Sequence, residues 1–416
     1  MRLVLVTTLF TAILAAFAYA QAKPDAAAAL MNDPAVKAAI DAAKANEPQT
    51  IEDQIRFCEI PAPPFMETAR GEVLKQRFEQ LGLKKVRTDK AGNVLGERPG
   101  ATAHPHVVIA AHLDTVFPEG TDVRVRREGA ILHGPGIGDN CRGLAELAAI
   151  ARVLNQANVR TPGSITFVAN VGEEGLGDLR GMKQLFNDTL KGQVDRFVSI
   201  DGTGLGIVRT FVGSYRYRVT FRGPGGHSFA AFGLANPIGA LGRAVAKIGE
   251  FQVPDDSRTT FNVGRIGGGT SVNAIPSESW MEVDMRSESV AALKALEAKF
   301  QKAVDAAVEE ENARWGKPGV IRVVKARVGE RPSAALPADA PIVQTAVEVT
   351  KLFAAASDEG VGSNDANYPA SLGIAAIAIG TGGRGANGHA STESFDTTQA
   401  YLGTQRATLL TIALAR

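Results

Sequence analysis

Four apolar segments constrain the fold of this chain more than any other feature. They cover residues 106–111, 164–171, 196–200 and 374–379, and each is short enough to be a β-strand. Predominantly apolar runs are typical of strands that are covered on both faces, as in parallel sheets flanked by helices. Residues 141–155, between two of these segments, have the apolar spacing of a helix. The chain is therefore predicted to be an α/β protein.

Histidines and acidic residues stand at the ends of these strands or just before the next helix. In chain order they are His112, Asp114, Asp139, Glu173, Glu174, Asp201 and His389. In open α/β sheets, ligands bind outside the carboxyl ends of the strands. We therefore expect these side chains to converge on one edge of the sheet.

The chemistry of this set predicts a metal centre. Imidazole and carboxylate ligands without cysteine suit catalytic zinc, with cobalt or manganese as alternatives. His112 and Asp114 are two residues apart, so in an extended chain they project on the same side. A metal-bound imidazole usually donates its other N–H to a carboxylate, and Asp114 is placed for that role.

Two further features predict a pair of metal ions and a proton carrier. A carboxylate such as Asp139 can bridge two ions, which together activate water and polarise a carbonyl group. Glu173 and Glu174 are adjacent, so near a strand end their side chains diverge. We expect one of them to bind metal and the other to transfer a proton.

The character of the sequence changes between Asp201 and His389. Residues 214–223 alternate polar and apolar, as a half-exposed antiparallel strand does. The segments up to residue 328 follow the order βαββαβ, which is the ferredoxin-like pattern. A chain of 416 residues is also too long for one ordinary core. We predict a catalytic domain over 21–209 and 330–416, with an α+β domain inserted at 210–329.

Several local elements are predicted from periodicity and from helix-breaking residues. Helices are expected at 25–45, 51–59, 66–81, 289–315 and 342–356, and a strand is expected at 86–94.

The N-terminus predicts export. Arg2 is followed by an uncharged run over residues 3–20 that ends in AYA, the pattern of a signal peptide cleaved before Gln21. An uncleaved membrane anchor is the alternative, but the run is barely long enough to span a bilayer. The small residues at the cleavage point favour a signal peptide over 1–20 and a periplasmic or secreted protein, with no membrane span after cleavage.

Charge and cysteine content exclude other classes of protein. Lys and Arg number 45 against 44 Asp and Glu, a formal charge of +1, so a nucleic-acid partner is not expected. Cys58 and Cys141 are the two cysteines, too few for a disulfide framework. The sequence does not decide whether they pair.

Seven ordered motifs extend over nearly the whole mature chain. They are EIPAPPF, AAHLDTV, GIGDN, GEEG, SIDG, GGHS and NGHA. With them the chain resembles the M20 metallopeptidase family, which includes carboxypeptidases, tripeptide aminopeptidases, dipeptidases and deacylases. The resemblance implies a mixed-sheet catalytic domain that binds two zinc ions, and an inserted lid and dimerisation domain. It also implies a homodimer.

The resemblance also assigns roles to residues. One ion would be bound by His112, Asp139 and Asp201, and the other by Asp139, Glu174 and His389. Glu173 would be the general base that takes a proton from water and later gives it to the leaving amine. Asp114 would orient His112, and the peptide bond between Asp139 and Asn140 would be cis.

In the inserted domain the resemblance points to three more residues. His227, from GGHS, would reach the active site of the other subunit and stabilise the oxyanion. Asn273 and Arg286 match positions that hold the carboxylate of the substrate. Residues 360–367 (GVGSNDAN) depart from the family's usual Gly-Thr-Ser-Asp form.

The residue at position 201 bears on the substrate. Aspartate is more usual there in the tripeptide aminopeptidase and dipeptidase branches, whereas many deacylases and carboxypeptidases have glutamate. This favours hydrolysis of short peptides. A deacylase of N-acyl amino acids is the alternative within enzymes, and a noncatalytic exported peptide- or metal-binding protein is the alternative of another class. The intact general base Glu173 argues against the latter.

Overall fold

The computed structural model describes residues 26–314, 320–354 and 359–416. The predicted signal peptide and the predicted helix ends at 315 and 356 lie outside these ranges. Within them, no helix combines the length and the apolar character needed to cross a membrane.

The strands form one large sheet and three smaller ones. In chain order they are β1 (Lys84–Thr88), β2 (Val94–Arg98), β3 (His106–His112), β4 (Arg126–Glu128), β5 (Ile131–His133), β6 (Ser164–Asn170), β7 (Arg196–Ile200), β8 (Ile207–Phe211), β9 (Gly213–Arg222), β10 (Gly226–His227), β11 (Thr259–Gly268), β12 (Ala274–Ile275), β13 (Glu278–Ser287), β14 (Arg322–Arg331), β15 (Ala334–Ala335), β16 (Glu359–Gly362), β17 (Ala375–Ile379), β18 (Arg384–Ala386) and β19 (Ser394–Asp396).

The helices lie mainly on the faces of these sheets. They are α1 (Ala26–Leu30), α2 (Pro34–Ala45), α3 (Glu47–Cys58), α4 (Thr68–Gln80), α5 (Cys141–Gln156), α6 (Arg180–Gln184), α7 (Pro237–Gly249), α8 (Val290–Ala313), α9 (Pro341–Lys351), α10 (Asn367–Ser371) and α11 (Tyr401–Leu414), with a 3-10 turn at Gly175–Gly177 and a π-helical turn at Leu185–Thr189.

The large sheet is mixed and has nine strands. Its order is β1-β2-β6-β3-β7-β17-β8-β15, with β16 also paired to β8. The strands β6, β3, β7 and β17 run parallel. Every residue of β3 is buried, with Val107 and Ile109 in the core on one face and Val108 and Ala110 in the core on the other. The expectation of apolar strands covered on both faces is confirmed.

A second sheet lies between Gly213 and Arg331 and has its own core. Its order is β11-β13-β9-β14, all antiparallel, and α7 and α8 pack on it around Phe221, Met281 and Phe300. The succession β9, α7, β11, β13, α8, β14 is the predicted βαββαβ order, with the short β10 and β12 between. We call this unit the lid.

Two local predictions were wrong. The strand predicted at 86–94 is a hairpin, because the carboxylate of Asp89 accepts the backbone N–H groups of Ala91, Gly92 and Asn93 and closes a tight turn. The helix predicted at 25–45 is divided into α1 and α2, because Asp33 caps a new helix that begins at a proline.

Cys58 and Cys141 are both buried and are free thiols. The sequence had left their pairing open. Both belong to a small core cluster beneath the loop that precedes α5.

Helix α5 carries a buried acid with no compensating hydrogen bond. Glu146 is fully buried, and neither of its carboxylate oxygens has a partner among the described residues. Burial raises the pKa of Glu146 to about 7, against the opposing charges of Arg142 and Arg406. The unfolded chain therefore releases this proton at lower pH than the folded protein does.

We expect Glu146→Gln to stabilise the protein in a pH-dependent way. Glutamine mimics the neutral carboxyl group, so the variant should match the wild type near pH 4 and exceed its free energy of unfolding by about 3 kcal/mol at pH 8. The gain should grow between the ordinary glutamate pKa and about 7 and then level off. Denaturant unfolding at both pH values measures it. The same replacement at the exposed Glu79 should change stability by less than about 0.5 kcal/mol; a gain at position 146 independent of pH would contradict this account.

Candidate active site

The topology of the large sheet brings the predicted residues to one edge. Strands β6, β3 and β7 are parallel neighbours, so their carboxyl ends meet. His112 is the last residue of β3, Asp201 directly follows β7, and Glu173 and Glu174 follow β6. His389 lies in the loop after β18, in a left-handed backbone conformation with φ 65°.

Asp139 is held at this edge by the start of α5. Its peptide bond to Asn140 is cis, as the resemblance implied. The Asn140 side chain caps α5 by accepting the N–H of Gly143, and it donates to the carbonyl oxygen of Ile200 at 2.9 Å. A Cβ at position 143 would lie 2.0 Å from Asn140 Oδ1, so only glycine fits there. The end of β7 and the residue that follows Asp139 are thus tied together.

A second anchor for Asp139 comes from a residue that the sequence analysis did not single out. Glu393 is 2% exposed. Its carboxylate accepts the backbone N–H groups of Gly136 and Gly138 at 2.8 Å and of Asp139 at 3.1 Å. The loop that presents Asp139 is therefore fixed by a carboxylate in the loop of His389.

The ligand atoms form two groups that share Asp139. His112, Asp139 and Asp201 make one group, and Asp139, Glu174 and His389 make the other; within each, the ligand atoms lie within 4.8 Å of one another. Oδ1 of Asp139 is 3.0 Å from Nε2 of His112, and Oδ2 is 3.0 Å from Nε2 of His389. Each oxygen of one carboxylate thus faces a different histidine. The resemblance implied these same two sets as metal ligands, and the structure brings the members of each set together.

A cation between these atoms fits an observation in the first group. Oδ1 of Asp139 is buried and accepts no hydrogen bond from any described residue, although Nε2 of His112 is close to it. The two atoms are 3.0 Å apart, so both are placed where they could bind a common cation. A third grouping, His112 with Glu173 and Glu174, also satisfies the distance, but Glu173 has another partner, described below.

The electrostatics of the cluster show an excess of buried negative charge. Burial and the charge of Asp139 raise the pKa of Asp201 well above its usual range. Burial also raises the pKa of Glu174, against the opposing hydrogen bond with His389. Hydrogen bonds to Asp139 and Glu174 raise the pKa of His389 to about 10. Carboxylates crowded in this way are stabilised in the ionised form by a divalent cation.

Asp114 acts differently from the prediction. Its carboxylate oxygen is 3.7 Å from Nδ1 of His112, beyond hydrogen-bond range. Nδ1 instead pairs with the backbone carbonyl oxygen of Asp114 at 2.9 Å. The carboxylate accepts the backbone N–H groups of Glu173 at 3.0 Å and Glu174 at 2.8 Å. Asp114 therefore orients His112 through its backbone and holds the glutamate pair with its side chain.

Glu173 is paired with an arginine that the sequence analysis missed. Nη1 of Arg331 donates to Oε1 of Glu173 at 2.7 Å, and Nη2 donates to the backbone oxygen of the same residue. Both residues are 4% exposed. Burial acts to lower the pKa of Arg331, but the charge and hydrogen bond of Glu173 raise it above its usual value.

The three predicted residues of the lid lie apart from the cluster of candidate ligands and have local partners. His227 is exposed, and its Nδ1 accepts the N–H groups of Phe229 and Ala230. The Asn273 side chain pairs with Ser271. Arg286 donates to Asp284 at 2.7 Å and lines a cavity of about 280 Å³. No hydrogen bond joins any of the three to the cluster within the described residues.

A chain of contacts connects Arg286 to the site. Arg216 also donates to Asp284, at 3.1 Å, and its Nη1 donates to the carbonyl oxygen of Gly175, which follows Glu174. Ser363, in the segment that departs from the family form, lines the same cavity as Arg286 and accepts a hydrogen bond from Arg331. The cavity is therefore linked to Glu173 through Ser363 and Arg331.

A buried acid in that segment was also missed. Asp365 is fully buried, accepts a hydrogen bond from Asn170 at 2.8 Å and leaves Oδ1 without a partner among the described residues. Burial and the charge of Glu173 raise its pKa to about 7. Its position, far along the chain from the glutamates, gave no sequence signal that it lies beside them.

Comparison with known proteins identifies the family. Residues 108–412 match the model for peptidase family M20/M25/M40. The uncharacterized protein YqjE of Bacillus subtilis (strain 168) is 27% identical over 288 residues, which span 65% of this chain and 74% of that protein. Carboxypeptidase G2 of Pseudomonas sp. (strain RS-16) is 27% identical over 248 residues, which span 56% of this chain and 59% of that protein.

A solved structure has the same fold. The crystal structure of a tripeptidase from Staphylococcus aureus subsp. aureus mu50 superimposes with a TM-score of 0.74 at 21% identity, covering 89% of this chain and 99% of that one. The family match covers well over half of the chain and includes both histidines and all the carboxylates of the cluster. The chain therefore belongs to peptidase family M20/M25/M40 and is a hydrolase of the metallopeptidase or amidohydrolase kind.

Proposed function

We propose that this protein hydrolyses an amide bond in short peptides, with two zinc ions at the cluster and Glu173 as the general base. One observation supports this most strongly. The two oxygens of Asp139 face His112 and His389 separately, so two ligand groups share one carboxylate. That arrangement suits two ions a few ångströms apart.

The residues divide the work in the proposed reaction. His112, Asp139 and Asp201 would hold one ion, and Asp139, Glu174 and His389 the other. Such ions polarise the substrate carbonyl group and make water more acidic. Glu173 takes the proton of the attacking water through its second carboxylate oxygen, Oε2, which receives no hydrogen bond from a described residue, and later delivers it to the leaving amine. Arg286 is proposed to bind the substrate carboxylate from the adjoining cavity.

A substrate panel tests the reaction class. Zinc-loaded protein would be incubated with dipeptides, tripeptides and N-acyl amino acids, and the products would be quantified by chromatography. We expect dipeptides or tripeptides to be cleaved fastest. Faster cleavage of N-acyl amino acids would instead identify a deacylase. Tight binding of peptides without cleavage would contradict catalysis and favour the binding-protein alternative.

We also propose that the lid forms a homodimer around His227. Phe229 is 88% exposed and Val272 is fully exposed. Both adjoin His227, since Ser228 donates its N–H to Asn273 and β10 pairs with β12. Exposed apolar side chains grouped in this way mark interaction surfaces, and a second subunit is the partner that would place His227 near a metal cluster.

Mixing two inactive variants tests this arrangement. His227→Ala should reduce kcat by about 100-fold or more through loss of an oxyanion donor. In a mixed dimer with Glu173→Ala, one site has both an intact Glu173 and a His227 from the other subunit. Co-refolding equal amounts should therefore restore about a quarter of the wild-type activity, since half of the dimers are mixed and each has one complete site. No recovery, with dimers confirmed by light scattering, would place His227 in its own subunit's site or outside catalysis.

Export of the protein stays a proposal that depends on residues 1–20 alone. The uncharged run and the small residues at its end support it. Mass spectrometry of the N-terminus of the protein from its native cells should find Gln21 first.

A further inference from the structure

The contact between Arg331 and Glu173 crosses from the lid to the catalytic sheet. Arg331 is the last residue of β14, the edge strand of the lid sheet, and pairs with Ser214 in the neighbouring strand β9. Three residues later, at Ala334, the chain belongs to the large sheet, where β15 pairs with β8. Arg331 therefore stands in the connection between the two sheets, yet its guanidinium group reaches the proposed general base.

The connection that carries Arg331 is itself tightly held. Nδ2 of Asn367 donates to the carbonyl oxygens of Val212 at 2.8 Å and Pro332 at 3.0 Å, so one side chain ties together both chain crossings. Ser333 donates to the carbonyl oxygen of Ser287 at 3.0 Å. A fixed backbone on both sides restricts where the guanidinium group of Arg331 can lie.

The contact itself fixes the side chain of Glu173. The guanidinium group binds the carboxylate through Oε1 and the backbone through its carbonyl oxygen. Two bonds from a planar donor define a direction as well as a distance. Oε1 is occupied by Arg331, and one carboxylate oxygen of Glu173 lies within 4.8 Å of ligand atoms of His112 and Glu174. Arg331 has no bond to any of the five proposed ligands within the described residues.

We propose, given the function proposed above, that Arg331 is a positioning residue: from the connection between the lid and the catalytic sheet, it fixes the orientation of Glu173 for proton transfer. A purely structural ion pair would affect stability alone. A positioning residue affects kcat, and its effect depends on the presence of Glu173.

The test combines substitutions at both positions in zinc-loaded, full-length protein with a cleaved dipeptide. Arg331→Met keeps much of the side-chain volume and should lower kcat about 10- to 100-fold, because a small misplacement of a catalytic group is costly. KM should change less than about threefold, and the zinc content should not change. In the Glu173→Gln background, Arg331→Met should cost less than about twofold in kcat, since effects transmitted through one residue are not additive.

Two controls keep the outcomes distinct. Arg331→Lys keeps the positive charge but lacks the planar guanidinium group that donates two hydrogen bonds at once. Its kcat should therefore lie between those of the wild type and the Met variant. If the Met variant does not fold, the kcat of the Lys variant provides the test. Arg209→Ala removes another arginine near the connection between the two sheets. Arg209 donates hydrogen bonds to Glu359 and to the carbonyl oxygen of Leu336. This variant should keep kcat within about threefold of the wild-type value.

Three results would overturn the inference. They are a wild-type kcat in both Arg331 variants, an equal loss with and without Glu173, or an equal loss in Arg209→Ala. If the wild type cleaves the peptide and Glu173→Gln cleaves it about 10³-fold more slowly, any of these results removes the role of Arg331 but leaves the proposed function intact. A zinc-loaded wild type that cleaves nothing in the panel would instead overturn the proposed function, and the role of Arg331 with it.

Discussion

Replacing Glu173 by Gln should reduce kcat by about 10³-fold while the protein stays folded and keeps its zinc, because the amide cannot accept a proton from water. The amide oxygen can still accept the hydrogen bond from Arg331, so the loop should keep its position. Steady-state kinetics with a cleaved dipeptide, beside zinc analysis of the same sample, measures both effects. A variant with unchanged kcat would remove Glu173 from the reaction.

The neighbouring glutamate provides a matched control. Glu174 has nearly the same burial, and its backbone N–H is held by the same carboxylate of Asp114, but its side chain lies 3.2 Å from His389. Glu174→Gln should therefore weaken zinc binding, and added zinc should restore part of its activity. Zinc should not restore Glu173→Gln. If the two variants respond alike, the division of roles within the pair is wrong.

Replacing Asp139 by Asn should have the broadest effect of any single change at the site. Both ligand groups depend on Asp139, so the variant should retain less than one zinc ion per chain and lose at least about 10³-fold in activity. Metal analysis after dialysis and kinetics at several zinc concentrations test this. Asp122→Asn, at an exposed ion pair, should change neither. Retention of two ions would show that Asp139 does not bridge them.

Sequence predicted that these side chains meet at one edge because most of them follow a recognisable local element. Apolar segments end at His112 and Asp201. Because these strands are parallel, their carboxyl ends meet at one edge of the sheet, and this does not depend on the structure of the connecting segments. Asp139 stands before a helix whose first turn needs a cap, which Asn140 supplies. Local patterns therefore carried most of the information about the ligand positions.

The residues that support the ligands could not be read from local patterns. Arg331 reaches Glu173 from a strand end of the lid 158 residues away, and Glu393 reaches the loop of Asp139 from 254 residues away. A single arginine or glutamate at such a position looks like any surface charge. Asp114 shows the same limit at short range, because alternation along a strand predicted its side but not its hydrogen bonds.

Some secondary-structure elements were missed because hydrophobic periodicity does not identify them. Helix α11 is buried around most of its circumference, so it lacks the apolar stripe that identifies an amphipathic helix. The hairpin at β1 and β2 depends on the side chain of Asp89 bonding three backbone groups. Periodicity alone does not report either feature.

The most direct test of the central claim is metal stoichiometry measured together with activity. Purified protein would be stripped with a chelator, titrated with zinc and assayed at each point by elemental analysis and by peptide hydrolysis. The proposed function predicts no hydrolysis without metal and full recovery as the zinc content approaches two ions per chain. Hydrolysis that survives complete removal of metal, or a chain that binds no zinc, would contradict it.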